Sequence, residues 1–268
     1  MPWANNNWEP SLPILAERGY LIPAIDSEST DYLTCAIHLA RSIRQWHPDA
    51  NIAAITVKRC SDPVFDHVIP LPYGDLGGYA NDWQCFDASP YRQTIKLEAD
   101  MLCASPIDHW WTLFELRDVV ISQGCRNFYD QPAQSRAYRK LFDNNHLPDV
   151  YNAITYWRVS RTARQFFVMV RNIFENWSAY QQLLRFPDAE PTTDVVYAIA
   201  AVLMGPESVT LPPGLGPTIV HMKRHIIGTL TDDWNQELIL EQANPGIRIN
   251  TVAQRGLVHY HVKELLHE

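Results

Sequence analysis

The sequence predicts an α/β fold, a mixed but mostly parallel sheet flanked by helices. Three observations carry this: an early strand, helix, strand succession between Gly19 and Val57, an apolar segment from Thr94 to Leu102 that carries the acidic triplet Glu98-Ala99-Asp100, and strand-type runs that keep alternating with helical ones afterwards.

The first strand is the apolar run Tyr20 to Ile25. Asp26 to Thr30 then clusters cap-forming side chains ahead of a helix over Asp31 to Trp46, where Leu33, Ile37, Leu39, Ala40 and Ile43 recur at helical spacing. The β-branched run Asn51 to Val57 and the segment Asp66 to Leu71 read as strands. Residues 71–90 hold three glycines and two prolines and read as a loop too long for a connector, hence a lid or an insertion. Thr94 to Leu102 is the expected central strand. A helix over Asp108 to Leu116, strands over Arg117 to Ser122 and Asn152 to Arg158, one long helix over Thr162 to Leu184 and another over Thr193 to Leu203 complete the reading. With no internal repeat and no linker, residues 1–268 are expected to form one domain, with extensions at 1–18 and 224–268.

Composition narrows the function classes. At 268 residues, 46% hydrophobic and 19% charged, the chain excludes disorder, collagen and an elongated coiled coil. Its net charge of −8 gives no general attraction to a polyanion, so a nucleic-acid partner would need a local basic patch. There is no basic and apolar leader and no apolar stretch of membrane-spanning length, so a soluble, cytoplasmic protein without a membrane partner is expected. Five widely spaced cysteines with no CxxC pair suit a reducing compartment and argue against a cysteine zinc site.

The stretch from Tyr91 to Leu102 carries the chemistry. Glu98 and Asp100 stand one residue apart at a strand end, so both project to one side, toward the crevice where α/β sheets bind ligands. Two carboxylates there repel unless a cation lies between them, and Mg²⁺ or Mn²⁺ would satisfy both while bridging to a diphosphate. The opposing reading of such a triplet is a solvated strand end.

This segment, SPYRQTIKLEADML, resembles the Asp-x-Asp strand of the GT-A glycosyltransferases, with Glu98 in place of the first Asp. Three further pieces resemble that family in order: Tyr151-Asn152-Ala153-Ile154, Pro191-Thr192-Thr193-Asp194, and Ile219-Val220-His221-Met222-Lys223. The resemblance implies a GT-A-type sheet and a metal-dependent enzyme moving a sugar from a nucleotide-diphosphate sugar, a UDP-sugar by preference, to a hydroxyl acceptor. It implies Glu98, Asp100 and His221 as metal ligands. Asn152 and Asp194 would act on donor and acceptor, with Asp194 as base or face-shielding carboxylate. Lys223, Arg92 and Lys96 would lie toward the diphosphate, and Ala24, Ile25 and Ser27 at the nucleobase. The span from Arg92 to Leu203 also resembles glycosyltransferase-like proteins of tailed bacteriophages, which admits 5-hydroxymethylated pyrimidine in phage DNA as an acceptor.

Plainer readings stand beside these. Asp194 could cap a helix, Asn152 could end a strand, and His221 could be one structural imidazole among ten. Lys96 is most simply the ion-pair partner of Glu98. Arg136, Arg139 and Lys140, and Arg158, Arg161 and Arg164 at spacing three, would be phosphate contacts or ordinary solvated charge. The aromatics Trp110, Trp111, Trp157, Phe166, Phe167, Phe174 and Trp177 are expected in the core rather than as a sugar platform. The absence of a Gly-rich, basic loop after the first strand counts against a dinucleotide-binding enzyme and a sugar-phosphate nucleotidyltransferase. A non-catalytic sugar- or DNA-binding protein of the same fold is the remaining alternative.

Overall fold

The computed structural model describes residues 12–132, 139–187, 190–212, 214–217, 219–222, 239–243 and 245–260. The first half comprises β1 (Ala16–Pro23), α1 (Tyr32–Trp46), β2 (Ile52–Ile55), β3 (His67–Ile69), a 3-10 segment (Gly78–Gln84), α2 (Cys85–Ala88), β4 (Tyr91–Leu97), β5 (Met101–Cys103), α3 (His109–Phe114), β6 (Val119–Gln123) and β7 (Cys125–Arg126). Then follow α4 (Lys140–Asn144), β8 (Val150–Arg158), α5 (Arg161–Glu175), α6 (Trp177–Leu184), α7 (Thr193–Met204) and α8 (Pro206–Val209). The last strands are β9 (Ile219–Met222), β10 (Leu240–Gln242), β11 (Ile247–Ile249), β12 (Val252–Ala253) and β13 (Leu257–Tyr260).

Six strands make the main sheet in the order β3-β2-β1-β4-β8-β6. The run from β3 to β4 is parallel, and β8 is antiparallel to both of its neighbours. Period-two alternation divides the core into two layers. Tyr20, Ile22, Ile52, Ala54, Ile95 and Leu97 pack with Cys35, Ala36, Leu39 and Ile43 of α1. Leu21, Ala53 and Ile55 turn to the other face, against Phe166, Phe167, Val170 of α5 and Val196 to Ala200 of α7. Helix α1 starts where cap chemistry places it: Asp31 Oδ1 accepts from Thr34 N at 3.2 Å, a contact worth about 1 kcal/mol.

The expected strand Thr94 to Leu102 is two strands, β4 and β5, with the acidic triplet as the bend between them. The expected single helix over 162–184 breaks at Asn176, whose side-chain amide donates to Asn172 O at 2.9 Å and so competes with backbone continuation. Residues 71–90 are not a lid throughout. From Asn81 to Pro90 nearly every residue is buried; Trp83 stacks under Arg171 of α5, and Asp87 pairs with Arg164 at 2.8 Å. The aromatics lie in the core as expected, with Trp157, Phe166 and Phe167 almost fully buried and Phe174 packed at the edge.

One glycine is fixed by close approach. A Cβ on Gly19 in β1 would lie 2.3 Å from the buried Tyr91 ring on the neighbouring strand. Gly19→Ala is expected to destabilise the protein by about 1–3 kcal/mol in a denaturant titration.

A second sheet, β5-β13-β9-β7, stands against the end of the first. Residues 257–260, expected within a C-terminal extension, supply its interior strand β13, antiparallel to β5 and parallel to β9. None of the five cysteines, all within the described residues, forms a disulfide. Among the described residues no helix is long and apolar enough to cross a membrane.

Candidate functional site

Where β4 ends, the chain turns through Glu98, Ala99 and Asp100 before pairing again as β5. Glu98 N still donates to Ala153 O of β8 at 3.1 Å, and Asp100 O accepts from Tyr260 N of β13 at 3.1 Å, so the bend is pinned on both sides. The side chains reach the floor of a cavity of about 1320 Å³ that opens at the carboxyl ends of β1 and β4.

The imidazole beside these acids is that of His259. Its Nε2 lies 3.1 Å from Asp100 Oδ2 and 3.4 Å from Glu98 Oε2. Each of the three residues offers a ligand atom within 4.8 Å of the others. The register explains the placement. Strand β13 is the immediate neighbour of β5, and His259 pairs with Met101, one residue past the acids. His221, expected as the third ligand, pairs with His259 one strand further out. It lines the cavity, but its Nδ1 faces His259 Nδ1 at 3.2 Å, and its ring packs on His259 and Tyr151.

The donors suit a hard divalent cation. Adjacent octahedral ligands on bonds of about 2.1 Å stand about 3 Å apart, close to the spacings between His259 Nε2 and the two carboxylates. Burial raises the Glu98 carboxyl above the ordinary carboxylate range; the His259 ring opposes this, while the nearby Asp100 and Asp194 charges add to it. A carboxyl so placed is more stable as an anion once positive charge is supplied.

Behind the acids lies a buried polar network that ties the walls together. Lys96, 1% exposed, donates to Asp82 Oδ1 at 2.5 Å and Oδ2 at 3.0 Å and to Asn152 Oδ1 at 2.8 Å. Asp82 also accepts from Tyr197 Oη at 2.6 Å and Asn152 Nδ2 at 3.1 Å. Burial pulls the Lys96 ammonium down, but attraction to and hydrogen bonding with Asp82, joined by Cys85 and Glu98, together outweigh it and the net shift is upward. The expected partner, Glu98, is not the one Lys96 takes. Lys96 alternates to the sheet face opposite Ile95 and Leu97, toward α7 and the 3-10 segment that carries Asp82.

Asn152 is anchored in the same network. Its Oδ1 also accepts from Thr155 Oγ1 at 3.1 Å, and its N–H donates to Asp194 Oδ1 at 2.8 Å. Asp194 sits in the first turn of α7 and lines the cavity, but the N-cap is Thr192. Arg139 holds its other oxygen at 2.7 Å, and that guanidinium is sandwiched between the rings of Phe142 and Tyr151, 4.2 and 3.8 Å from their centroids.

The remaining expected residues divide. Ile25 and Ser27 line the rim beyond β1, and Ala24 lies just beneath it, donating its N–H to Ile55 O at 2.7 Å. Arg92 is excluded from the site: it is exposed beside Glu17 at the opposite end of β4, six residues and about 20 Å of extended chain before Glu98. Lys223 and Arg136 lie outside the described residues. Of the arginines weighed as phosphate contacts, Arg139, Arg158 and Arg164 are held by Asp194, Asp118 and Asp87, at 2.7, 2.5 and 2.8 Å. Sequence reasoning missed Asp82, His259 and the rim tyrosines Tyr32 and Tyr79.

No family model matches the chain, and no curated protein matches it. Solved structures do. A galactosyltransferase LgtC structure in complex with donor and acceptor sugar analogues superposes at a TM-score of 0.52 and 12% identity, covering 90% of this chain and 86% of that one. An active-site mutant of LgtC superposes at 0.50 and 11% over the same shares. At these identities the likeness is one of fold, and the chain has the mixed, mostly parallel α/β architecture of the GT-A glycosyltransferases.

Proposed function

We propose that the protein is a metal-dependent glycosyltransferase that moves a sugar from a nucleotide-diphosphate sugar, a UDP-sugar by preference, to a hydroxyl acceptor. The observation that carries this reading is the convergence of Glu98, Asp100 and His259 at the mouth of the central strand, inside a cavity large enough for a nucleotide sugar and an acceptor together.

Glu98, Asp100 and His259 would hold Mn²⁺ or Mg²⁺. When bound, the ion supplies positive charge against the diphosphate as the bond from anomeric carbon to phosphate oxygen breaks. For His259 Nε2 to offer a lone pair, its proton must reside on Nδ1, which then donates to His221 Nδ1. His221 is thus a positioning residue that fixes the ring and tautomer of His259. Ile25 and Ser27 border the end of the cavity suited to the nucleobase. Asp194, locked by Arg139 and the Asn152 N–H, keeps lone pairs free to take the acceptor's hydroxyl proton or shield one face of the sugar. Lys96 and Asn152 keep that wall in place and do not bind phosphate.

The test is hydrolysis and transfer assayed over a panel of nucleotide sugars, with Mn²⁺ and with chelator. At least one donor is expected to turn over only with the ion. Calorimetry separates a binding module, which would show acceptor affinity without metal-linked donor affinity.

A further inference from the structure

From the charge on its walls, we infer that the cavity takes an uncharged or cationic acceptor with an apolar face and rejects anionic acceptors, DNA among them. This rests on the glycosyltransferase reading and names the acceptor class for the same site.

Eight of the described lining residues are Asp or Glu and two are Lys or Arg. The two cations are consumed where they stand, Lys96 by Asp82 and Arg139 by Asp194. Asp26 is matched by Lys58 at the rim. Glu98 and Asp100 together with a diphosphate would carry about four negative charges, of which a single divalent ion offsets about two. Glu28, Asp75 and Glu190 then remain, and among the described residues no Lys or Arg pairs with any of them. Among the described residues the recess an acceptor enters is therefore predominantly negative, bounded by low-dielectric walls that focus the field. The rim phenol of Tyr79 registers it: burial raises its pKa first, and Glu98, Asp194, Asp100 and Glu190 all add in the same direction.

The lining also includes Leu141, Phe142, Trp177 and Phe186, the last two rings packed at 5.7 Å, as well as Glu190. Apolar rings next to carboxylates suit a compound with an apolar face and hydroxyl or ammonium edges. Among the described residues, Arg139, Arg158 and Arg164, which could have served a phosphate-rich chain, are held by carboxylates.

The experiment uses the full chain with Mn²⁺ and a panel of UDP-hexoses. The acceptors share one skeleton and differ in charge: 4-nitrophenyl glucoside, glucosaminide and glucuronide, alongside a duplex oligonucleotide containing 5-hydroxymethylcytosine. Product is expected on the glucoside or the glucosaminide. The glucuronide should be at least about tenfold poorer in kcat/KM at low salt, with the gap closing as salt screens the field. Glu190→Gln should narrow the gap and Glu190→Lys reverse it. Transfer to the glucuronide or to DNA at least as good as to the neutral glycoside would overturn the inference, and so would donor hydrolysis without product on any neutral or cationic acceptor. If no donor binds or turns over with the ion, the glycosyltransferase reading itself fails, a result distinct from both.

Discussion

Asp100→Ala is expected to lower metal-dependent donor turnover by about a thousandfold or more, the equivalent of about 4 kcal/mol of transition-state stabilisation. Asp100 Oδ2 is 3.1 Å from His259 Nε2, and the residue is 6% exposed, so no solvent-borne group can easily replace its carboxylate. The fold should survive. The bend is held by the backbone, through Asp100 O with Tyr260 N and Glu98 N with Ala153 O, and the substitution relieves repulsion between the buried Asp100 and the half-buried Glu98. The thermal midpoint without metal should therefore hold or rise, while added Mn²⁺ stabilises the parent chain and not the variant. Undiminished turnover would remove Asp100 from the site.

Lys96→Ala should cost about 3–5 kcal/mol of stability, because it leaves the Asp82 carboxylate among Tyr197 and Asn152 with no cation and opens a void beside them. In a chain of this size that is a fall of about 10 °C in thermal midpoint. Replacing Lys96 and Asp82 together by apolar residues of similar volume should recover a large part of the loss, since no uncompensated charge then remains. A single variant that melts with the parent protein would show that the pair does not hold the wall.

The α/β class, the central position of the strand before Glu98 and the extent of α1 were legible because each rests on local periodicity or capping. The pair Glu98 and Asp100 was legible for the same reason, as two acids in a short span. His259 was not. Ile219-Val220-His221-Met222 and Leu257-Val258-His259-Tyr260 carry the same pattern, two apolar residues, a histidine and another apolar residue. Which histidine meets the acids depends on which strand lies beside β5, and that is a long-range pairing.

Asp82 was hidden differently. It stands in a segment whose glycines and prolines argue for a loop, and its importance comes from Lys96, Asn152 and Tyr197, residues 14, 70 and 115 positions away. A buried lysine on an otherwise apolar strand was the signal available, since such a charge requires a partner. What the local pattern could not give was that partner's identity. Arg92 failed for a geometric reason: it shares a strand with Glu98 but sits at the end away from the cavity.

The central claim is that Glu98, Asp100 and His259 form one cation site with His221 behind it. Mn²⁺ affinity, measured by calorimetry or electron paramagnetic resonance on the parent chain and on His259→Ala and His221→Ala, tests it most directly. His259→Ala is expected to weaken binding by about a hundredfold or more, and His221→Ala by about tenfold, as befits a residue that orients a ligand. Full affinity in His259→Ala, with the loss falling on His221→Ala instead, would contradict the account.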